Sequence, residues 1–203
     1  MIAVRDDDLG PEVLVLERSA GSPFLPGYVA FPGGATDADD RAHALRWFGE
    51  EAEAPRACAV RELVEEVGLA LTSSGLGPSG GDPMASIAAA PPRTGQLPRI
   101  AHWIAPEHVP VRFDAQYFAV RAPIGLLPEP DGHEAAAAWW ARPGDLLEEW
   151  EAGERKLYWP TYFTMRALAG CSTVDELLAL RMRTREPDDD ELEWLPRPTF
   201  WQE

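Results

Sequence analysis

Apolar positions recur along this chain in two rhythms. Glu12-Val-Leu-Val-Leu-Glu-Arg18 is a β-branched and apolar run bounded by charges, which predicts a strand, and Ser19-Ala-Gly-Ser-Pro23 after it has turn composition. A second short strand, Tyr28-Val-Ala-Phe31, runs into Pro32-Gly33-Gly34. Asp37-Ala-Asp-Asp40 then leads into a stretch with His43, Leu45, Trp47 and Phe48 that fits either a short helix or a packed loop. From Pro55 to Leu69 the rhythm changes: Ala57, Val60, Leu63, Val64 and Val67 follow at three- and four-residue steps, the signature of a helix with one buried stripe. Pro55 suits its first turn and Gly68 its C-terminal cap.

The stretch 72–98 is rich in Gly, Ser, Pro and Ala, and predicts a variable loop with a short helix near Met84 to Ala90. Further strands are expected at Ile100–Ile104, Phe113–Val120 and Glu134–Trp140, and helices at Asp145–Glu151, Thr161–Ala169 and Thr173–Arg183. The last is opened by Ser172 or Thr173, with Glu176 in capping-box position. Strands alternate with helices and no long linker intervenes, so residues 1–203 are expected to form a single mixed α/β (α+β) domain. The tail 186–203 carries Trp194 and Trp201, and is expected to fold back on the domain or onto a second subunit.

Composition narrows the partners. The 203 residues carry 34 Asp plus Glu against 18 Lys plus Arg, a formal net charge of -16. The arginines are scattered and Lys156 is the sole lysine, so no basic patch for nucleic acid or an anionic membrane assembles from sequence neighbours. No run approaches the ~18 apolar residues of a bilayer span. MIAVRDDDLG has the pattern of neither a signal nor a transit peptide, so a cytoplasmic setting is expected. Cys58 and Cys171 form no CxxC pair and read as small apolar residues.

Chemistry concentrates in Arg61-Glu-Leu-Val-Glu-Glu-Val-Gly-Leu69. At 100° per residue, Glu62, Glu65 and Glu66 fall within an arc of roughly 100°, opposite the apolar stripe. Like charges so placed cost about 0.2–0.5 kcal/mol a pair, and a divalent cation reverses that cost. Hard oxygen ligands select Mg²⁺, Mn²⁺ or Ca²⁺. A solvated acidic face would look the same were these glutamates alone. Glu53, however, stands eight residues before Arg61, and Phe31-Pro32-Gly33-Gly34 precedes both.

Together these residues resemble the signature of the Nudix hydrolases: glycine, five residues, Glu, seven residues, then Arg-Glu-apolar-x-Glu-Glu-x-Gly-apolar. From Glu53 to Leu69 the match is complete in type and spacing. With Gly34 as the first glycine, residues 35–52 form an insertion-bearing segment of 18 residues where the family usually has five. Without an insertion, Trp47 would occupy the glycine position. The resemblance implies an α/β/α sandwich with a central mixed sheet and additional C-terminal helices. It also implies metal-dependent hydrolysis of a diphosphate bond by an activated water, with Mg²⁺ or Mn²⁺ as cofactor. Glu62, Glu65 and Glu66, with a main-chain carbonyl of Gly33 or Gly34, would be the metal ligands, and Arg61 would brace the loop through Glu53. Glu134, or one of the box glutamates, would serve as general base.

Upstream, Leu14-Val-Leu-Glu-Arg18-Ser19, Gly27 and Phe31-Pro-Gly-Gly34 resemble the coenzyme A diphosphatase branch, although Pro23 stands where that branch has a second arginine. Trp103-Ile-Ala-Pro-Glu107 and Arg112-Phe-Asp-Ala-Gln-Tyr-Phe118 resemble larger acyl-CoA diphosphatase-like members. CoA or acyl-CoA is therefore the first substrate expected, with ADP-ribose or NADH as alternatives and a non-catalytic sensor module as the alternative of another class. Arg18, Arg112 and Gly34 are the expected substrate contacts, since a guanidinium grips phosphate bidentately. A homodimer is left open.

Overall fold

The computed structural model of the chain describes residues 1–107 and 112–187. In chain order its elements are β1 (Ile2–Arg5), β2 (Glu12–Arg18), β3 (Val29–Ala30), α1 (Ala38–Phe48), α2 (Ala54–Val67), β4 (Leu69–Thr72), β5 (Gly75–Pro78), α3 (Pro83–Ala89), β6 (Arg99–Ile104), β7 (Asp114–Arg121), β8 (Ala135–Ala141), α4 (Pro143–Glu151), α5 (Trp159–Ala169) and α6 (Val174–Ala179). The sheet runs β3-β2-β1-β7-β6, with β8 on β2. It is mixed: β1 and β7 are parallel and the other pairs antiparallel. β8 follows β2 from Val13 to Arg18, while β1 meets Glu12–Val13 and β3 meets Leu16–Glu17, so two strands share one edge of β2 end to end.

Alternation along β2 explains the layering. Leu14 and Leu16 point into a core with Val60, Leu63 and Val67 of α2, whereas Val13 and Val15 point into a second core with Leu146 of α4 and Trp159, Tyr162 and Met165 of α5. Both sheet faces are covered, so the strand reads as an unbroken apolar run rather than an alternating one. The expected α/β/α sandwich is the observed architecture, with six helices and a central mixed sheet.

Some elements resolve an alternative the sequence left open, and others differ from their expectation. The segment 35–52 is mostly helix: Asp37 accepts from the Asp40 N–H at 2.9 Å and Asp40 accepts from the Asp37 N–H at 3.0 Å, a reciprocal cap that starts α1, and left-handed Gly49 ends it. β1 carries no expectation from the sequence, because its four apolar-leaning residues run directly into three aspartates. The variable stretch holds the α3 helix and, unanticipated, β5, which pairs as a hairpin with β4 just ahead of it. The last helix stops at Ala179, not Arg183, because the chain turns extended and pairs with β6: the Met182 N–H donates to the Ile100 carbonyl at 2.8 Å, and Ile104 N–H to Arg185. The tail beyond Pro187, with its two tryptophans, lies outside the described residues.

Candidate active site

Helix α2 is set by Pro55 in its first turn and by left-handed Gly68, whose N–H donates to Leu63 and Val64 carbonyls. Its apolar stripe docks on the sheet, which turns the carboxylate side toward the loop after β3. The three glutamates do not share one environment. Glu62 and Glu66 are buried, whereas Glu65 is exposed. The Gly33 N–H donates to the Glu66 carboxylate at 2.7 Å. A Cβ on Gly34 would stand 2.8 Å from Glu62 Cδ and 3.2 Å from its Oε2, so only glycine lets the loop approach so closely. Gly34 thus lies directly against Glu62, whereas Trp47 is a buried residue of α1 stacked on His43. The Met1 amino group is buried beside the same loop and donates to the Pro32 carbonyl.

A third carboxylate arrives from β8. Oxygens of Glu62, Glu66 and Glu134 lie within 4.8 Å of one another. Glu134 is exposed at the head of β8, and its position is fixed through Asp131, whose carboxylate accepts from the Glu134 and Ala135 N–H groups at 3.1 and 2.8 Å. The loop before it is pinned to the end of α2: the Glu129 N–H donates to Val67 and the Asp131 N–H to Glu66. Asp131 was not legible as a functional residue, although its Asp-Gly-His context is a turn signal.

Burial pushes the pKa of the Glu66 carboxyl up to about 7, against the Gly33 hydrogen bond, and the neighbouring Glu62 charge adds to the rise. Glu62 is raised too, by burial first, with Arg61 opposing and Glu65 and Glu134 contributing. Three hard oxygen donors that repel one another and sit partly out of water suit a small divalent cation, whose ligands stand about 2.1 Å from it. Residues and group therefore fit. Glu65 stands apart from this trio, held by Arg61 Nη1 at 2.6 Å.

The brace differs from its expectation. Glu53 pairs with Arg56, not with Arg61. Arg61 instead grips Asp40 of α1, with Nε on Oδ1 at 3.0 Å and Nη2 on Oδ2 at 2.9 Å, and reaches Glu62 at 2.9 Å. Asp40 is fully buried; burial alone would raise its pKa, but the Arg61 and Asp37 hydrogen bonds and the Arg61 charge hold it below the usual aspartate range. Cys58, one turn before Glu62, places its sulfur 3.6 Å from the Gly34 carbonyl and 4.0 Å from Glu62, and burial and the Asp40 and Glu62 charges push its thiol up to about 12.

The expected phosphate contacts fall in different settings. Arg18 is committed to the turn after β2, donating to the Phe24 carbonyl and Ser22 hydroxyl at 2.8 Å each, although its charge still reaches Glu66. Arg112 is exposed just ahead of β7. A cleft of about 750 Å³ between the β4–β5 hairpin, β7 and α6 is lined by none of the three carboxylates, so concavity alone would point away from the chemistry.

Fold and site define a class: an α/β/α domain in which a glycine loop abuts an acidic helix and a later strand adds a carboxylate. The NUDIX domain profile matches residues 1–159, and the chain belongs to that family. It is 26% identical over 238 residues to human acyl-coenzyme A diphosphatase NUDT19, an alignment that covers 83% of this chain. The chain spans 63% of the length of that relative. A NUDIX hydrolase from Alicyclobacillus acidocaldarius superposes with a TM-score of 0.77 at 30% identity, covering 90% of this chain and 95% of that one. RenU, a Nudix hydrolase from M. Smegmatis, shares the fold with a TM-score of 0.51 at 16% identity, covering 91% of this chain and 86% of that one.

Proposed function

We propose that this protein hydrolyses the diphosphate bond of a nucleoside diphosphate joined to another moiety, with CoA or acyl-CoA as substrate and Mg²⁺ or Mn²⁺ held by Glu62, Glu66 and Glu134. The observation that carries it is the convergence of Glu62 and Glu66, from a helix whose sequence matches the family signature, with Glu134 from the head of β8, Glu62 lying against Gly34. Bound there, the cation supplies neutralisation of the diphosphate charge and activation of the attacking water. The chain's own residues do the rest. Gly33 orients Glu66 through its N–H. To Glu134, exposed at the mouth of the cluster, we assign the proton of the attacking water, taken on the carboxylate oxygen that the cation does not engage. Glu65 lies on the solvent side, where Arg61 holds it. Arg112 offers a solvent-facing guanidinium for an anionic arm of the substrate.

The CoA assignment rests on the Leu14–Gly34 lead-in and on likeness to a relative named as an acyl-coenzyme A diphosphatase. ADP-ribose and NADH carry the same diphosphate and are the competing substrates. Incubation with Mg²⁺ or Mn²⁺ and CoA, acyl-CoA, ADP-ribose or NADH tests the assignment, with Glu66→Gln as the control. Cleavage of acyl-CoA, lost in Glu66→Gln, is the expected result. Turnover of ADP-ribose alone would remove the CoA assignment. No turnover of any of the four would leave a ligand-binding module.

A further inference from the structure

We propose that Asp40, contributed by the inserted helix α1, is a positioning residue that restricts the Arg61 guanidinium to a single nitrogen on one oxygen of Glu62 and so leaves the other Glu62 oxygen for a cation. The inference rests on the proposed metal site. Arg61 has five N–H donors, and a guanidinium beside a buried carboxylate ordinarily pairs with it bidentately. Here both oxygens of the fully buried Asp40 occupy Nε and Nη2, and Nη2 is further drawn to the Ala35 carbonyl at 3.3 Å. Nη1 alone remains for the box glutamates, divided between Glu62 at 2.9 Å and Glu65 at 2.6 Å. Asp40 is itself held by the Asp37 N–H at 3.0 Å, inside the cap that starts α1. A chain of contacts therefore runs from the helix cap through Asp40 and Arg61 to Glu62, and the inserted segment supplies its first half. Glu53 takes no part, being paired with Arg56.

With the Asp40 charge removed, Arg61 is released onto Glu62 and competes with the cation for the same oxygens. Outer partners of this kind typically set metal affinity by 10- to 100-fold. The test is Mn²⁺ binding without substrate, read from the electron paramagnetic resonance signal of free Mn²⁺. Asp40→Asn is expected to weaken Mn²⁺ by about 10-fold, and Glu53→Gln by less than 2-fold. In Asp40→Asn/Arg61→Gln the competing cation is gone, and affinity is expected to return to within about threefold of wild type, a non-additive result. Wild-type affinity in Asp40→Asn, no recovery in the double variant, or an equal loss in Glu53→Gln would each overturn the proposal. If Asp40→Asn does not fold, Asp37→Ala carries the test, because it removes the carboxylate that accepts the Asp40 N–H at 2.9 Å and so loosens the first turn that holds Asp40; about threefold weaker Mn²⁺ is expected, and no change would overturn it. A wild type that binds Mn²⁺ but cleaves no diphosphate would remove the hydrolase reading while leaving this one standing.

Discussion

Gly34→Ala is the sharpest perturbation of the site, because it adds one methyl group against one carboxylate. The new Cβ would stand 2.8 Å from Glu62 Cδ, while carbon atoms in comfortable contact keep about 3.5–4.0 Å. Glu62 must therefore retreat by about 1 Å, or the loop must. Displacement of a catalytic group by that distance costs on the order of 100-fold in rate, equivalent to about 2.7 kcal/mol of lost transition-state stabilisation. Overpacking in the folded state costs about 1–3 kcal/mol, which for a chain of this size lowers Tm by only several degrees. The expected signature is thus a folded protein with kcat down about 100-fold. Gly21→Ala is the control, since nothing lies within 4 Å of its would-be Cβ, and it should match wild type. Steady-state kinetics with Mn²⁺ and a cleaved diphosphate, beside thermal melts of both variants, make the measurement. A Gly34→Ala enzyme within threefold of wild-type kcat would refute the close-approach role of this glycine.

Other outcomes follow from the same geometry. Glu66 is raised from an ordinary 4.5 to about 7, so above pH 7 its buried charge destabilises the metal-free fold by on the order of 3 kcal/mol. Glu66→Gln should accordingly raise Tm in chelator at pH 8 and abolish the stabilisation that Mg²⁺ gives wild type; a lower Tm in chelator would contradict this. Burial raises all four tyrosines, Tyr158 to about 12. Because the folded values exceed the unfolded ~10, the stability they contribute is intact below pH 10 and lost as pH climbs toward 12. Absorbance at 295 nm should show tyrosinate appearing together with unfolding, and a reversible midpoint near 10 in folded protein would count against it. Asp131→Ala frees the Glu134 N–H and should lower kcat about 10-fold with KM little changed, if Glu134 accepts a proton in the reaction; an equal loss in KM would move the role to substrate binding.

The strands at Glu12–Arg18 and Ala135–Ala141 and the α2 helix were legible in the sequence because each carries its period locally: an apolar run, a tryptophan pair and a three-four stripe. β1 was not, since four residues give too short a period and one of its two partner strands pairs with it across 117 positions. The end of α6 was misjudged for a related reason. Leu180 to Arg183 has helical composition, and only the free edge of β6 makes the extended form better. At the site, spacing placed three glutamates on one helix face, but not which would be buried. That is decided by the β3 loop folding onto Glu62 and Glu66 and missing Glu65. The Asp40–Arg61 pair joins residues 21 apart across an inserted segment that no periodicity describes.

The two backbone hydrogen bonds that tie the loop before β8 to the last turn of α2, Glu129 N–H to Val67 and Asp131 N–H to Glu66, couple the supports of the carboxylate trio. Their amide hydrogens can exchange with solvent only when that loop lifts from the helix, and lifting it carries Glu134 away from Glu62 and Glu66. The exchange rates at positions 129 and 131 therefore measure, without substrate or cation, the fraction of time the three carboxylates spend apart.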